Sequence, residues 1–217
     1  MSTAPRDRLR DVRLYALVTE RHCRRPWLET ARMLIEGGAD VIQLREKELE
    51  GRELLERACR LRELTREQDV IFIVNDRLDV ALLSGADGVH LGQDDLPPER
   101  VREAAGADII VGLSTHAREQ AAAAQSRGAD YVGVGPVYPT RTKGYDEGGG
   151  ARLVAELCAA TRLPTVAIGG ITPENAAAAI RAGAQAVAAC GALCSADDPR
   201  AAARAFLEAV RGGEGSR

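Results

Sequence analysis

Apolar residues along this chain fall into eight short blocks, at 14–18, 41–44, 70–74, 88–91, 109–112, 131–134, 165–168 and 186–189. Most are continuous rather than alternating, as in parallel strands covered on both faces. The longer stretches between them, and after the last, have helical character. A small motif punctuates the order: Gly38-Ala39-Asp40, Gly85-Ala86-Asp87, Gly106-Ala107-Asp108 and Gly128-Ala129-Asp130 each precede an apolar run, and Gly183-Ala184-Gln185 is a looser copy. Glycine is favoured just past a helix end, where a left-handed backbone carries no Cβ penalty. Each triplet therefore predicts a helix stop, a brief loop and a strand start. Repeats of roughly 20 to 25 residues hold one strand and one helix.

Eight such units predict an α/β chain folded as a (β/α)8 TIM barrel, one domain over residues 1–217 with charged, flexible ends at 1–10 and 212–217. An open doubly wound sheet is the alternative, but no Gly-x-Gly-x-x-Gly follows the first block. In a barrel the loops after the strands carry the chemistry, so charged residues just past strand ends become the candidates.

Composition narrows the partners. Aromatics make up 3% of the 217 residues and the net charge is −3, so neither stacking platforms nor a polyanion-binding field is expected. Phosphate recognition would have to be local, and nucleic acid is not an expected partner. The first ten residues lack the apolar core of a signal peptide, and no run approaches the ~20 apolar residues of a membrane helix. The five cysteines show no paired metal spacing. Cys190 and Cys194 read better as small buried hydrophobes than as a redox or metal pair. The expected location is the cytoplasm.

At the end of strand 2, Gln43, Arg45 and Lys47 alternate onto one face. An amide, a guanidinium and an ammonium there suit a ligand that carries phosphates. Fraying into the next helix through Glu46-Lys47-Glu48 is the bland alternative. Strand 3 runs into Asn75-Asp76-Arg77 and strand 4 into Gln93-Asp94-Asp95. Asn75 or Asp76 alone reads as a helix N-cap. Together, the acids of two neighbouring strand ends would face each other across one mouth. Close carboxylates repel unless a cation sits between them or one is protonated. A hard ion such as Mg²⁺, held by one or two carboxylates plus water and substrate phosphates, resolves this. His90, inside strand 4, fits a core histidine as well as an acid/base.

After strand 5, Ser114 suits a ligand and Thr115 a helix cap, with His116 in the helix's first turn. The longest irregular segment, 135–150, contains Thr140, Arg141, Thr142 and Lys143, partners for phosphate or carboxylate oxygens. Such loops are functional or disordered, and the trailing glycines suit a lid. Strand 7 ends in Gly169-Gly170, followed by Thr172 as N-cap and Pro173 at the first helical position. With the small loop Cys190-Gly191-Ala192 after strand 8, this is where barrels commonly bind a phosphate.

Five motifs in order, Gln-Leu-Arg-Glu-Lys at 43–47, Asn-Asp-Arg at 75–77, Val-His-Leu-Gly-Gln-Asp-Asp at 89–95, Pro-Thr-Arg-Thr-Lys at 139–143 and Ile-Gly-Gly-Ile-Thr at 168–172, resemble the thiamine-phosphate synthase family over nearly the whole chain. The resemblance implies a transferase of thiamine biosynthesis. It would join a hydroxymethylpyrimidine diphosphate to a thiazole phosphate, carboxylated or not, and release diphosphate by a dissociative step. It further implies that Gln43, Arg45, Lys47, Asn75, Ser114 and Lys143 hold the pyrimidine diphosphate, with Arg45, Lys47, Ser114 and Lys143 catalytic. Asp76 and Asp95 would bind Mg²⁺. Thr140, Thr142, Gly170, Cys190 and Gly191 would meet the thiazole phosphate. One position departs from the family: where the strand 8 loop typically carries an apolar residue and then serine, Cys190-Gly191 stands here. A thiazole tautomerase on the same barrel, a phosphoribosyl isomerase and a non-catalytic binding barrel are the rivals. The tautomerase lacks the full set that Arg45, Lys47, Asp76 and Asp95 make up.

Overall fold

The computed structural model describes residues 4–140 and 146–215. Within them the apolar blocks become β1 (Leu14–Val18), β2 (Val41–Leu44), β3 (Ile71–Asn75), β4 (Gly88–Leu91), β5 (Ile110–Thr115), β6 (Tyr131–Val134), β7 (Thr165–Ile168) and β8 (Ala186–Ala189). Each strand pairs in parallel with its chain neighbour, and β8 returns to β1 to close the barrel. The helices α1 (Trp27–Glu36), α2 (Gly51–Glu67), α3 (Leu78–Ser84), α4 (Pro98–Ala105), α5 (Arg118–Ala124), α6 (Gly150–Ala160) and α7 (Pro173–Arg181) alternate with the strands. After β8 come the short α8 (Gly191–Cys194) and the terminal α9 (Pro199–Glu214). The TIM-barrel expectation holds.

Two strand ends differ from the sequence reading. β3 sits one residue later, and β5 runs on through Thr115. Thr115 is therefore no helix cap: its hydroxyl is fully buried and donates to the Gly133 carbonyl at 3.0 Å. A β-branched residue with a cross-strand partner for its hydroxyl belongs comfortably in a strand. His116 lies before α5, outside its first turn.

The punctuating triplets have a structural role that their spacing alone did not reveal. Glycines 38, 85, 106, 128 and 183 all take positive φ, as helix stops require. Three of the aspartates then turn back to clamp the first N–H groups of the preceding strand. Asp40 Oδ2 accepts from Leu14 N at 2.9 Å, Asp87 Oδ2 from Phe72 N at 2.8 Å and Asp130 Oδ2 from Val111 N at 2.8 Å. Arg62 and Arg102 neutralise Asp87 and Asp130 at 2.7 and 2.6 Å, so two of these part-buried carboxylates are paired. Asp108 is exposed and its triplet only ends a helix.

Alternation divides the core in two. Outward strand residues such as Ile42, Phe72 and Leu113 pack under the helices, while Tyr15, Val41, Ile73, Ile110 and Tyr131 fill the barrel. Leu9 and Val12 join the inner set, Leu9 from a 3-10 turn at Asp7–Asp11. The N-terminal segment therefore plugs the barrel floor. The other end, 212–214, continues α9, with Gly213 packed against α7 closely enough that a Cβ would meet Ile180 Cβ at 2.9 Å. With the floor sealed, the open end lies at the strands' carboxyl termini.

Candidate active site

Strand alternation aims Gln43 and Arg45 into the mouth and turns Glu46 away. Glu46 accepts from Glu20 N at 2.6 Å and pairs with Arg57 at 3.5 Å, so the frayed-end alternative is not realised there. Arg45 is only 5% exposed, and its Nε and Nη1 are buried with no hydrogen-bond partner among the described residues. A buried guanidinium without a partner is costly unless an anion arrives to meet it. Lys47, more exposed, reaches Asp76 with its Nζ 3.1 Å from Oδ2.

Asp76 takes a left-handed backbone, φ 62°, which few non-glycine residues other than Asn and Asp adopt. Its N–H donates to the His90 carbonyl at 2.8 Å, tying the end of β3 to β4. Across the mouth, the turn after β4 is closed by Asp95, whose Oδ2 accepts from Gly92 N at 2.6 Å. Asp95 lies within hydrogen-bonding reach of Asp76. Burial, and then this neighbouring carboxyl, push Asp76 above the usual carboxylate range, against the pull of Lys47. Asp94 points out and is exposed. Arg77 is drawn off to Asp79, with Nη2 2.6 Å from Oδ2, and takes no part in the mouth.

The carboxylate pair fits a hard divalent ion such as Mg²⁺, which takes one or two protein carboxylates and completes its shell with water and phosphate oxygens. Among the described residues no cluster of three or more His, Cys, Asp or Glu side chains forms an all-protein cage. That donor count favours an ion brought with its substrate over a structural metal.

Below the acids runs a feature that motif reading missed. Gln43 Nε2 donates to the Tyr15 hydroxyl at 2.7 Å, and Tyr15 and Tyr131 share a hydrogen bond of 2.8 Å. Tyr131 meets His90 Nδ1 at 2.9 Å, and His90 Nε2 meets Ser114 Oγ at 2.9 Å. Burial pushes both phenols well above their ordinary range, so both stay protonated. The available signal was a tyrosine at an inward position of an apolar strand, since a buried phenol needs a partner.

Beside this row opens a cavity of about 240 Å³, lined in part by Arg45, Ser114, Thr140, Gly170, Cys190 and Gly191. It gathers predicted residues from β5 and from the segments after β2, β6, β7 and β8. Gly169 and Gly170 take φ of 99° and 62°, and a Cβ on Gly170 would lie 2.5 Å from the Pro139 carbonyl. These glycines thus seat the loop after β6 as well as leaving backbone free for an anion. Asn175 holds the turn: its Oδ1 accepts from Thr172 N at 2.9 Å and its Nδ2 donates to Gly170 O at 3.0 Å. The loop after β8 is the first turn of α8, whose leading N–H groups have no intrahelical partner. Cys190 and Cys194 are buried, their thiols against Thr19 Oγ1 and Leu17 O at 3.8 and 3.3 Å. Asn75 flanks Gln43 and His90 at the deep end. Thr142 and Lys143 lie outside the described residues.

Comparison with known proteins gives a consistent result. A family model described as thiamine monophosphate synthase matches residues 14–193. A thiamine-phosphate synthase of Moorella thermoacetica is 48% identical over 188 residues, which cover 86% of this chain and 89% of that one. One from Shouchella clausii is 42% identical, over 93% and 98% of the two chains. A solved thiamine phosphate pyrophosphorylase from Pyrococcus furiosus superposes with a TM-score of 0.87 at 37% identity, covering 94% of this chain and 98% of its own.

Proposed function

The chain belongs to the thiamine monophosphate synthase family of transferases, and from that premise we propose that it joins 4-amino-2-methyl-5-(diphosphooxymethyl)pyrimidine to a thiazole phosphate. The products are thiamine phosphate and diphosphate. The observation that carries this reading is Arg45, a buried guanidinium with two nitrogens unpartnered among the described residues, in a mouth that also holds a lysine and two close carboxylates. A diphosphate with a divalent cation answers every one of those groups at once.

In the reaction the bond between the pyrimidine methylene carbon and the diphosphate oxygen breaks first, and its electron pair leaves with diphosphate. The thiazole nitrogen then donates its lone pair to the methylene carbon. No proton need move at the reacting atoms, which agrees with a site rich in cations. Gln43 and Asn75 orient the pyrimidine. Arg45, Lys47 and Lys143 bind the diphosphate where negative charge grows in the transition state, and Ser114 adds a hydroxyl. Asp76 and Asp95 would hold Mg²⁺, which when bound supplies further neutralisation of the leaving group. Thr140 and Thr142 contact the thiazole, and Gly170, Cys190 and Gly191 cradle its phosphate in the neighbouring cavity. Closure of the loop after β6 would keep water from the pyrimidine cation. We assign the activity to the cytoplasm; no helix among the described residues is long and apolar enough to cross a membrane.

Incubating the protein with Mg²⁺ and the two phosphorylated halves should yield thiamine phosphate and diphosphate in equal amounts. Folded protein that yields neither would move the weight to a binding barrel. Restoring a hydroxyl at the phosphate cup is a finer test. Gly191→Ser should lower the KM for thiazole phosphate about fivefold, the worth of one added hydrogen bond of about 1 kcal/mol. An unchanged KM would mean that backbone N–H groups alone set that affinity.

A further inference from the structure

The row Gln43–Tyr15–Tyr131–His90–Ser114 draws one residue from each of β2, β1, β6, β4 and β5, and so crosses the barrel beneath the mouth. The packing around it is built for this passage. A Cβ at Gly112 would lie 2.2 Å from Tyr131 Cζ and 2.5 Å from His90 Nδ1, so only glycine at that point of β5 lets the two rings meet. Their centroids stand 5.5 Å apart.

Both phenols are buried, so each spends its proton within the row, and only two proton arrangements then remain. A phenol carries one proton, and a neutral imidazole donates from one nitrogen and accepts at the other. If Gln43 donates to Tyr15, then Tyr15 donates to Tyr131 and Tyr131 to His90 Nδ1. His90 must then carry its proton on Nε2 and give it to Ser114 Oγ. The serine proton has no protein acceptor among the described residues and is left for a ligand. Reversing the Gln43 amide reverses every bond, and Ser114 then spends its proton on His90.

The surroundings choose between the two. With Gln43 Nε2 on Tyr15, its Oε1 is buried and has no partner among the described residues. The adjacent inward residue of the same segment is Arg45, which brings donors only. An acceptor beside those donors is electrostatically favoured, whereas the reversed amide would set N–H groups against N–H groups.

We propose that Tyr15, Tyr131 and His90 are positioning residues that couple the two ends of this row, fixing Gln43 Oε1 as an acceptor and the Ser114 hydroxyl as a donor toward one ligand. That ligand offers an N–H at one edge and an anionic or lone-pair oxygen or nitrogen at the other, as an aminopyrimidine diphosphate does. The substrate half of this inference rests on the function proposed above; the proton arrangement does not.

The test joins a spectroscopic and a kinetic measurement. In wild-type protein with ¹⁵N-labelled histidine, bound to the pyrimidine diphosphate and Mg²⁺, His90 should show an unprotonated Nδ1 and a protonated Nε2. His22→Gln and His116→Gln supply the assignment. The opposite tautomer, or an imidazolium, overturns the proposal, and neither result requires turnover or a variant in the row. In the kinetic arm, Ser114→Ala should cost about tenfold in kcat/KM in the wild-type background and less than about twofold in the Tyr131→Phe background, because the lost hydrogen bond is worth more when its proton is directed. The same tenfold penalty in both backgrounds also overturns it. Protein that makes no thiamine phosphate but carries the expected tautomer would sink the proposed function and leave the arrangement standing.

Discussion

Asp76→Asn and Asp95→Asn should each lower turnover by about 10²–10³-fold or more, the scale at which a site loses one element of transition-state charge stabilisation. Asparagine is the informative replacement at both positions. At Asp76 the backbone φ is 62°, a conformation that asparagine tolerates and alanine does not without a cost of about 1 kcal/mol. At Asp95 the carboxylate also accepts from Gly92 N, and an amide oxygen can keep that 2.6 Å bond while losing the charge. Both variants should therefore melt near the wild-type temperature. Weaker Mg²⁺ dependence with an intact melting curve is the expected combination. Full Mg²⁺-dependent turnover in either variant would remove that residue from the metal site.

Arg45→Met should produce two effects of opposite sign. Turnover should fall by about 10²–10³-fold as the diphosphate loses a buried cation. Stability should rise by about 1–3 kcal/mol, because a buried charge with two unsatisfied nitrogens is replaced by a side chain of similar length that needs no partner. Arg45 is 5% exposed with Nε and Nη1 unsatisfied, so its cost is borne by the fold and recovered only when an anion binds. Chemical denaturation without ligands, alongside steady-state rates, measures both. A variant less stable than the parent would show that the guanidinium has a structural partner and is not held in reserve.

The substituted diphosphate site and the row beneath it differ in how they could be found. Gln43, Arg45 and Lys47 lie two positions apart, and period-two alternation alone brings them to one face. Asp76 and Asp95 are legible as acids at the ends of neighbouring strands. Strand-end position alone does not separate Asp94 from Asp95, which the family resemblance picks, because the choice depends on the turn that Asp95 itself closes on Gly92. Thr115 was misread as a cap because a threonine before an alanine-rich helix looks the same whether or not the strand has ended. Its hydroxyl's partner, the Gly133 carbonyl, belongs to the next strand.

By itself the sequence determined the eight-unit order, the parallel sheet, every strand start and every strand end but that of β5 to within a residue, and the loops that carry chemistry. All of these follow from local rules: apolar runs, helix-stopping glycines and alternation within a strand. Only the tertiary structure decided how the turn after β4 holds Asp95 against Asp76, what the triplet aspartates clamp, and how Tyr15, Tyr131 and His90 connect Gln43 to Ser114. Those contacts join residues up to 116 positions apart, and barrel closure is what sets them. Register between strands is a property of the closed sheet, so no periodicity within one strand can encode it.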